Sequence, residues 1–213
     1  MKVCVIGVGR FGYHLAVTLS DNGVEVLAVD SNEAIVASIR DKVSQAICMR
    51  VADEESLRSI GADDMDVIIV AMGENFAQSI LVTALLKHRL QSKHVITRSI
   101  SEIHREILQL IGADQIVLPE REEGRRLADT LSLPFKALFR ITQQFCIAQA
   151  PVPFSMHHKS LKKLNLPENY GITCLGRKVS EEIEQIDPDD ILAENDVLII
   201  SGTVKNLTRF ARL

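Results

Sequence analysis

The stretch KVCVIGVGRFG, Lys2 to Gly12, carries an apolar run straight into three glycines, Gly7, Gly9 and Gly12, spaced as G-x-G-x-x-G. A short apolar run ending in glycine reads as a buried strand, and this spacing marks the turn from that strand into a helix of a dinucleotide-type fold. Each glycine has its own reason. Gly7 permits the tight turn, Gly9 lets backbone approach a phosphate, and Gly12 lets the helix pack closely on the strand. The helix that follows points its N-terminal N–H groups and positive dipole end at the phosphates. Asp30 closes the next apolar run, VEVLAVD, where a carboxylate accepts hydrogen bonds from both ribose hydroxyls and repels a 2'-phosphate. That favours an adenosine ligand with a free ribose, ATP/ADP or NAD(H), over NADP. No G-x-x-x-x-G-K-[ST] occurs, which disfavours a P-loop NTPase.

Strand-like runs recur downstream at QAICM, MDVIIVAM, HVITR and QIVLP, and most segments between the runs carry helical spacing. Six alternating units predict an α/β, doubly wound, Rossmann-like parallel sheet. The helix from about Glu74 to Leu90 is expected to turn Phe76, Ile80, Thr83 and Ala84 toward the sheet. After Pro119 the run EREEGRRLADTL reads as a helix leaving the sheet, and SLPF with Pro134 interrupts the pattern. The expected division is therefore a nucleotide-binding domain over residues 1–132 and a crossover plus small α/β domain over 133–213. An extended stretch is expected there at QQFCIAQAPVP, a short helix at SLKKLNL, strands at GITCLG and DVLIISG, and a closing amphipathic segment at TVKNLTRFARL.

Of 213 residues, 46% are hydrophobic and 24% charged, and the formal charge is −4. This composition is that of a soluble globular protein without the basic surface of a nucleic-acid binder. No apolar run approaches the roughly 20 residues of a membrane span, and no signal-peptide pattern precedes the first strand, so a cytoplasmic location is expected. Cys4, Cys48, Cys146 and Cys174 are scattered without a C-x-x-C pair and read as reduced core residues. An oxidoreductase built on the same loop needs an acid or base and a substrate pocket. His157 and His158, in SMHHKSLKK, are the adjacent histidines outside the first domain and read as surface. A redox-sensing repressor needs a helix-turn-helix that the sequence lacks.

The ordered blocks VIGVGRFG, VLAVDSNE, VIIVAMGENF and LIGADQIVLPEREEG resemble the regulator-of-conductance-for-potassium family, the cytosolic nucleotide-binding subunits of bacterial Trk and Ktr potassium uptake systems. SLKKLNLPENYGITCLGRKVSEEIEQIDPDDILAENDVLIISGTVKNL is similar to the family's small C-terminal domain, so the resemblance covers essentially the whole chain. It implies a non-enzymatic gating subunit, a homo-oligomer built from dimers into an octameric ring, peripheral on the inner membrane face through an integral potassium channel or transporter.

The resemblance also implies residue roles. Arg10 and Phe11 lie in the phosphate loop, with Arg10 directed at the terminal phosphates or, alternatively, a solvated helix-start residue. Ser31 and Asn32 flank the ribose site beside Asp30, and Asn32 is a ligand contact or an N-cap. Ala71, Met72, Gly73 and Asn75, from AMGEN, line the cleft, and Asn75 could equally cap the helix it begins. Arg98 is a basic residue near the phosphates or a member of a surface ion pair. Glu120 matches an acidic residue that helps hold a magnesium or calcium ion against the triphosphate. Two positions depart from the family pattern. Arg50 replaces an Asp or Asn near the adenine, leaving it to stack on the base or face solvent. Asn195-Asp196 replaces a Gly-Asp turn, for which Asn in a left-handed conformation is the next-best residue. Arg177 lies where the family places a basic residue near cyclic di-AMP in the C-terminal domain, or is plain surface.

Overall fold

The computed structural model describes residues 1–73 and 75–213. Glu74, the expected start of one helix, lies outside the described residues. Two compact units, Met1–Arg121 and Glu122–Leu213, divide the chain.

The first unit alternates strand and helix: β1 (Lys2–Ile6), α1 (Arg10–Asp21), β2 (Glu25–Asp30), α2 (Glu33–Ile39), β3 (Gln45–Cys48), α3 (Glu54–Ser59), β4 (Val67–Val70), α4 (Phe76–His88), β5 (Val95–Arg98), α5 (Glu102–Ile111) and β6 (Gln115–Val117). The six strands form a parallel sheet in the order β3-β2-β1-β4-β5-β6. The expected doubly wound fold is therefore present. The order reverses between β1 and β4, and the crevice at that reversal, beyond the carboxyl ends of the strands, is where such sheets bind ligands.

Central β1 shows why its sequence is a continuous apolar run. Val3 and Val5 pack with Ala16, Val26, Ala28 and Ile39 on one face. Cys4 and Ile6 pack with Leu27, Val29, Leu57, Val82 and Leu86 on the other. A strand covered on both faces cannot alternate with polar residues. Burial pushes the Cys4 thiol up to about 12, leaving it a small core hydrophobe.

Helix α4 corrects one expectation. Its buried residues are Ser79, Val82, Thr83 and Leu86, whereas Phe76 is exposed and Ile80 and Ala84 are half-buried. Of the expected inward stripe only Thr83 is fully buried. FAQSILVTALLKH is apolar nearly all round, so helical periodicity alone could not select the face.

The helix α6 (Pro119–Ser132) forms where the charged run after Pro119 is expected to, and its residues span the end of the first unit and the start of the second. The second unit continues with β7 (Ala137–Arg140), β8 (Phe145–Pro151), α7 (Leu161–Leu164), α8 (Leu166–Tyr170), β9 (Ile172–Val179), β10 (Glu182–Glu184), β11 (Val197–Thr203) and α9 (Val204–Phe210). Its antiparallel sheet runs β10-β9-β11-β8-β7. Alternate residues Cys146, Ala148 and Ala150 of β8, with Leu198 and Ile200 of β11, point into a core shared with Leu164, Leu166, Leu207 and Phe210. Strands β7 and β10 were not expected. Their residues are exposed or half-buried throughout, as suits edge strands with little apolar patterning. Cys48 is exposed and Cys174 half-buried, so the reading of four core cysteines holds for Cys4 and Cys146 alone.

Candidate functional site

The loop after β1 is built by close backbone approach. Gly7 takes φ +93°, and a Cβ there would lie 3.0 Å from Met72 N and 3.2 Å from the carbonyl carbon of Ala71. A Cβ on Gly12 would lie 2.0 Å from Gly7 O and 3.3 Å from Ala71 Cβ. The loop is thus wedged between α1 and the end of β4, which places Ala71 and Met72 behind it. At Gly9, by contrast, a Cβ would meet nothing within 4 Å among the described residues. That open face is where a ligand's phosphate can reach the backbone.

Gly9 is the N-cap of α1 and supplies no side-chain hydrogen bond, and the first turn carries no acidic residue. The next four helices are closed by side chains: Asn32 caps α2, Asp53 α3, Asn75 α4 and Ser101 α5. The first-turn N–H groups of α1 therefore have no side-chain acceptor among the described residues, and an anion is the complementary partner.

Asp30 is tied to the same loop. Its carboxylate accepts hydrogen bonds from Val8 N (2.7 Å) and Asn32 N (2.8 Å), one on each oxygen. Each oxygen keeps a further lone pair for a ribose hydroxyl. Asp30 thus has a bracing role that the expected ribose role did not include. Asn32 accepts from Ala34 N (2.9 Å) and Ile35 N (3.3 Å), which realises the N-cap alternative. Asn75 likewise caps α4 by accepting from Gln78 N (3.1 Å). Gln78 was missed, although N-x-x-Q has capping-box spacing. It receives Asn75 Nδ2 on Oε1 (3.1 Å) and donates from Nε2 to Val51 O (2.5 Å), fastening the backbone beside Arg50 to the start of α4. Arg10, Ser31 and Arg50 are exposed.

Arg98, at the end of β5, is the most confined cation of the set. Its guanidinium lies 5.8 Å from the centroid of the Phe11 ring, and a Cβ on Gly73 would come within 2.5 Å of Nη1. Phe11 and Gly73 thus form its seat, which gives both a role sequence reasoning did not supply. Nη2 pairs with Glu120 Oε1, while Nε is buried without a partner among the described residues. The side chain of Arg98 is 17% exposed and that of Glu120 66%. The first-turn backbone of α6 and the Arg98 guanidinium hold the Glu120 carboxyl below the usual range against a smaller opposing effect of burial.

Among the described residues no three His, Cys, Asp or Glu side chains cluster to hold a metal. Glu120 offers one hard carboxylate, which fits a magnesium or calcium ion only where phosphate oxygens complete the shell.

In the second unit Arg177 pairs with Asp196 at 3.5 Å. Asp196 also closes its own turn, accepting from Ala193 N (2.8 Å) and donating its N–H to Ala193 O (3.2 Å). Asn195 is not among the residues with positive φ. The expected left-handed asparagine is therefore replaced by an Asp-closed turn. His157 Nε2 lies 3.2 Å from Val152 O and its ring packs edge-on against Phe154.

The TrkA-N domain family matches residues 3–119 and the TrkA-C domain family residues 147–213. The chain is 34% identical to Ktr system potassium uptake protein A of Bacillus subtilis strain 168, over 98% of this chain and 95% of that one. It is 32% identical to Ktr system potassium uptake protein C of the same organism, over 99% and 96%. Among solved structures, the GsuK channel bound to NAD superposes with a TM-score of 0.67 at 18% identity, over 97% of this chain and 38% of that one. The AMP-bound Kef C-terminal domain of Shewanella denitrificans gives 0.53 at 18% identity, over 62% and 79%. At these identities the structural likeness concerns the fold.

Proposed function

The chain belongs to the regulator-of-conductance-for-potassium family, in which a TrkA-N domain precedes a TrkA-C domain, and we propose that it is an adenine-nucleotide-sensing gating subunit of a potassium uptake system. The observation that carries the ligand is the uncapped N-terminus of α1 opening at Gly9, on a loop braced by Asp30. Phosphates bind the first-turn N–H groups and Arg10, and the ribose binds the free lone pairs of Asp30. Asn32, Ser31, Asn75 and Arg50 form the rim around the nucleoside. Arg98 adds positive charge, and Glu120 bears on a divalent ion shared with a triphosphate. NAD and AMP, the ligands named for the superposed GsuK and Kef structures, share the adenosine phosphate that this loop reads.

The potassium role rests on full-length similarity to Ktr proteins A and C. No helix among the described residues is long and apolar enough to cross a membrane; the similarity to the Ktr proteins supports a conducting pathway in a membrane partner at whose cytosolic face this chain docks. Helix α5 leaves Ile103 and Leu110 exposed, apolar surface that another copy would cover in a dimer and then an octameric ring. Domain limits of 1–132 and 133–213 put all of α6 with the nucleotide domain and leave the crossover between neighbours to the second segment. Arg177, already engaged by Asp196, would have to exchange partners to meet a cyclic dinucleotide.

The test is calorimetry on the nucleotide-stripped full chain with ATP, ADP, AMP and NAD, alongside mass identification of any co-purified nucleotide. Binding with unequal ATP and ADP affinities is expected, because a gating ligand must distinguish two states. Absence of binding to all four would remove the reading. Turnover of NAD to NADH with a small substrate would instead favour an oxidoreductase.

A further inference from the structure

The ion pair between Arg98 and Glu120 joins the end of β5 to the first turn of α6. The cation faces the phosphate loop, since it stacks over Phe11 and rests on Gly73. A second pair, Arg121 with Glu102, holds the same turn to the start of α5. Both pairs lie within Met1–Arg121, yet the helix they hold continues into the segment from Glu122 onward.

We propose that Glu120 is a built-in competitor for the nucleotide's phosphate, occupying Arg98 in the ligand-free chain and being displaced from it when a phosphate arrives, to water or to a divalent ion shared with that phosphate, which frees the first turn of α6 from the end of β5. This rests on the nucleotide reading above and names its regulation. The chemistry favours the exchange. A guanidinium binds phosphate oxygens through the same fork it offers a carboxylate, and a terminal phosphate brings more negative charge than one carboxylate. The buried Nε of Arg98, without a partner among the described residues, supplies a donor that Glu120 does not use. Glu120 is two-thirds exposed, so water readily solvates it after release. By linkage, whatever strengthens the Arg98–Glu120 pair weakens phosphate binding by the same factor.

The experiment uses the full chain, stripped of nucleotide, in excess EDTA so that no cation bridges Glu120 to phosphate. ATP is titrated calorimetrically into wild type, Glu120→Gln, Arg98→Gln and the double variant. Removing the competitor is expected to tighten ATP binding about two- to fivefold, the range an exposed ion pair supports. Arg98→Gln is expected to weaken it about tenfold through loss of a charged donor, and in that background Glu120→Gln is expected to change nothing. Hydrogen exchange gives an independent readout. ATP is expected to speed exchange in the 119–125 segment of wild type, and Glu120→Gln to exchange fast there without ATP. Glu120→Ala serves as a second competitor-free variant.

Unchanged or weaker ATP binding by both Glu120 variants, or an effect that persists without Arg98, overturns the proposal while leaving the nucleotide site standing. A wild type that binds no adenine nucleotide overturns both.

Discussion

Replacing Asp30 by Asn separates what this residue does for the loop from what it does for a ligand. In the structure one carboxylate oxygen accepts Val8 N–H at 2.7 Å and the other accepts Asn32 N–H at 2.8 Å. An asparagine of the same shape keeps one acceptor and turns an NH2 toward the other N–H, so one charge-assisted bond becomes a donor–donor contact. Loss of a hydrogen bond to a charged group costs about 1.5 to 3 kcal/mol. For a unit of this size each kcal/mol corresponds to about 3 to 5 °C, so a fall of about 5 to 15 °C in the melting temperature is expected without any nucleotide. The assay is calorimetric unfolding of wild type and Asp30→Asn in nucleotide-free buffer, followed by titration with ATP. The variant is expected to bind more weakly as well, since both the loop and the ribose acceptor are altered. A melting temperature unchanged within 1–2 °C, on the order of a few tenths of a kcal/mol, would show that the carboxylate does not brace the loop, and the reasoning from Val8 and Asn32 would fail.

Other substitutions probe the same geometry. Gly12→Ala places a Cβ 2.0 Å from Gly7 O, so α1 must move off the loop; ATP affinity is expected to fall at least tenfold, and wild-type affinity would contradict the packing. Gly73→Ala intrudes on the Arg98 guanidinium and is expected to weaken ATP binding more than AMP binding, which equal losses in the two titrations would contradict. In magnesium, Glu120→Gln is expected to remove the cation's enhancement of ATP binding, measured against EDTA; an equal enhancement in wild type and variant would detach Glu120 from the cation. The Arg140 guanidinium, hydrogen-bonded to Asp129 at 2.7 Å, holds that carboxyl below its usual range despite partial burial. A depressed folded value means stability present above the unfolded carboxyl range and lost as pH falls through the folded value. Arg140→Gln is therefore expected to flatten the acid limb of unfolding of the full chain, and an unaltered limb would contradict it.

The parallel sheet was legible because β1, β2 and β4 are buried on both faces and so read as continuous apolar runs ending at Gly7, Asp30 and Ala71. The glycine reasons for Gly7 and Gly12 were legible for the same cause: spacing constrains backbone. Side-chain partnerships were not. Asp30 bracing Val8 and Arg98 resting on Gly73 join segments far apart in sequence, and no local pattern encodes them. Asn32 and Asn75 had two readings each, and their capping bonds realise one. Edge strands β7 and β10 lacked the buried alternation by which strands are recognised, and the all-round apolarity of α4 hid which face meets the sheet.

The central claim is that nucleotide identity at the Gly7–Gly12 loop sets potassium conduction through a membrane partner. The direct measurement is potassium flux into proteoliposomes holding a Ktr-type membrane subunit, with the full chain added in its ATP-bound or ADP-bound form. The account predicts that flux depends on the added chain, differs between the two nucleotides, and loses that difference in Asp30→Asn at concentrations where wild type is saturated. Flux that is indifferent to the chain, or identical with ATP, ADP and no nucleotide, would contradict it.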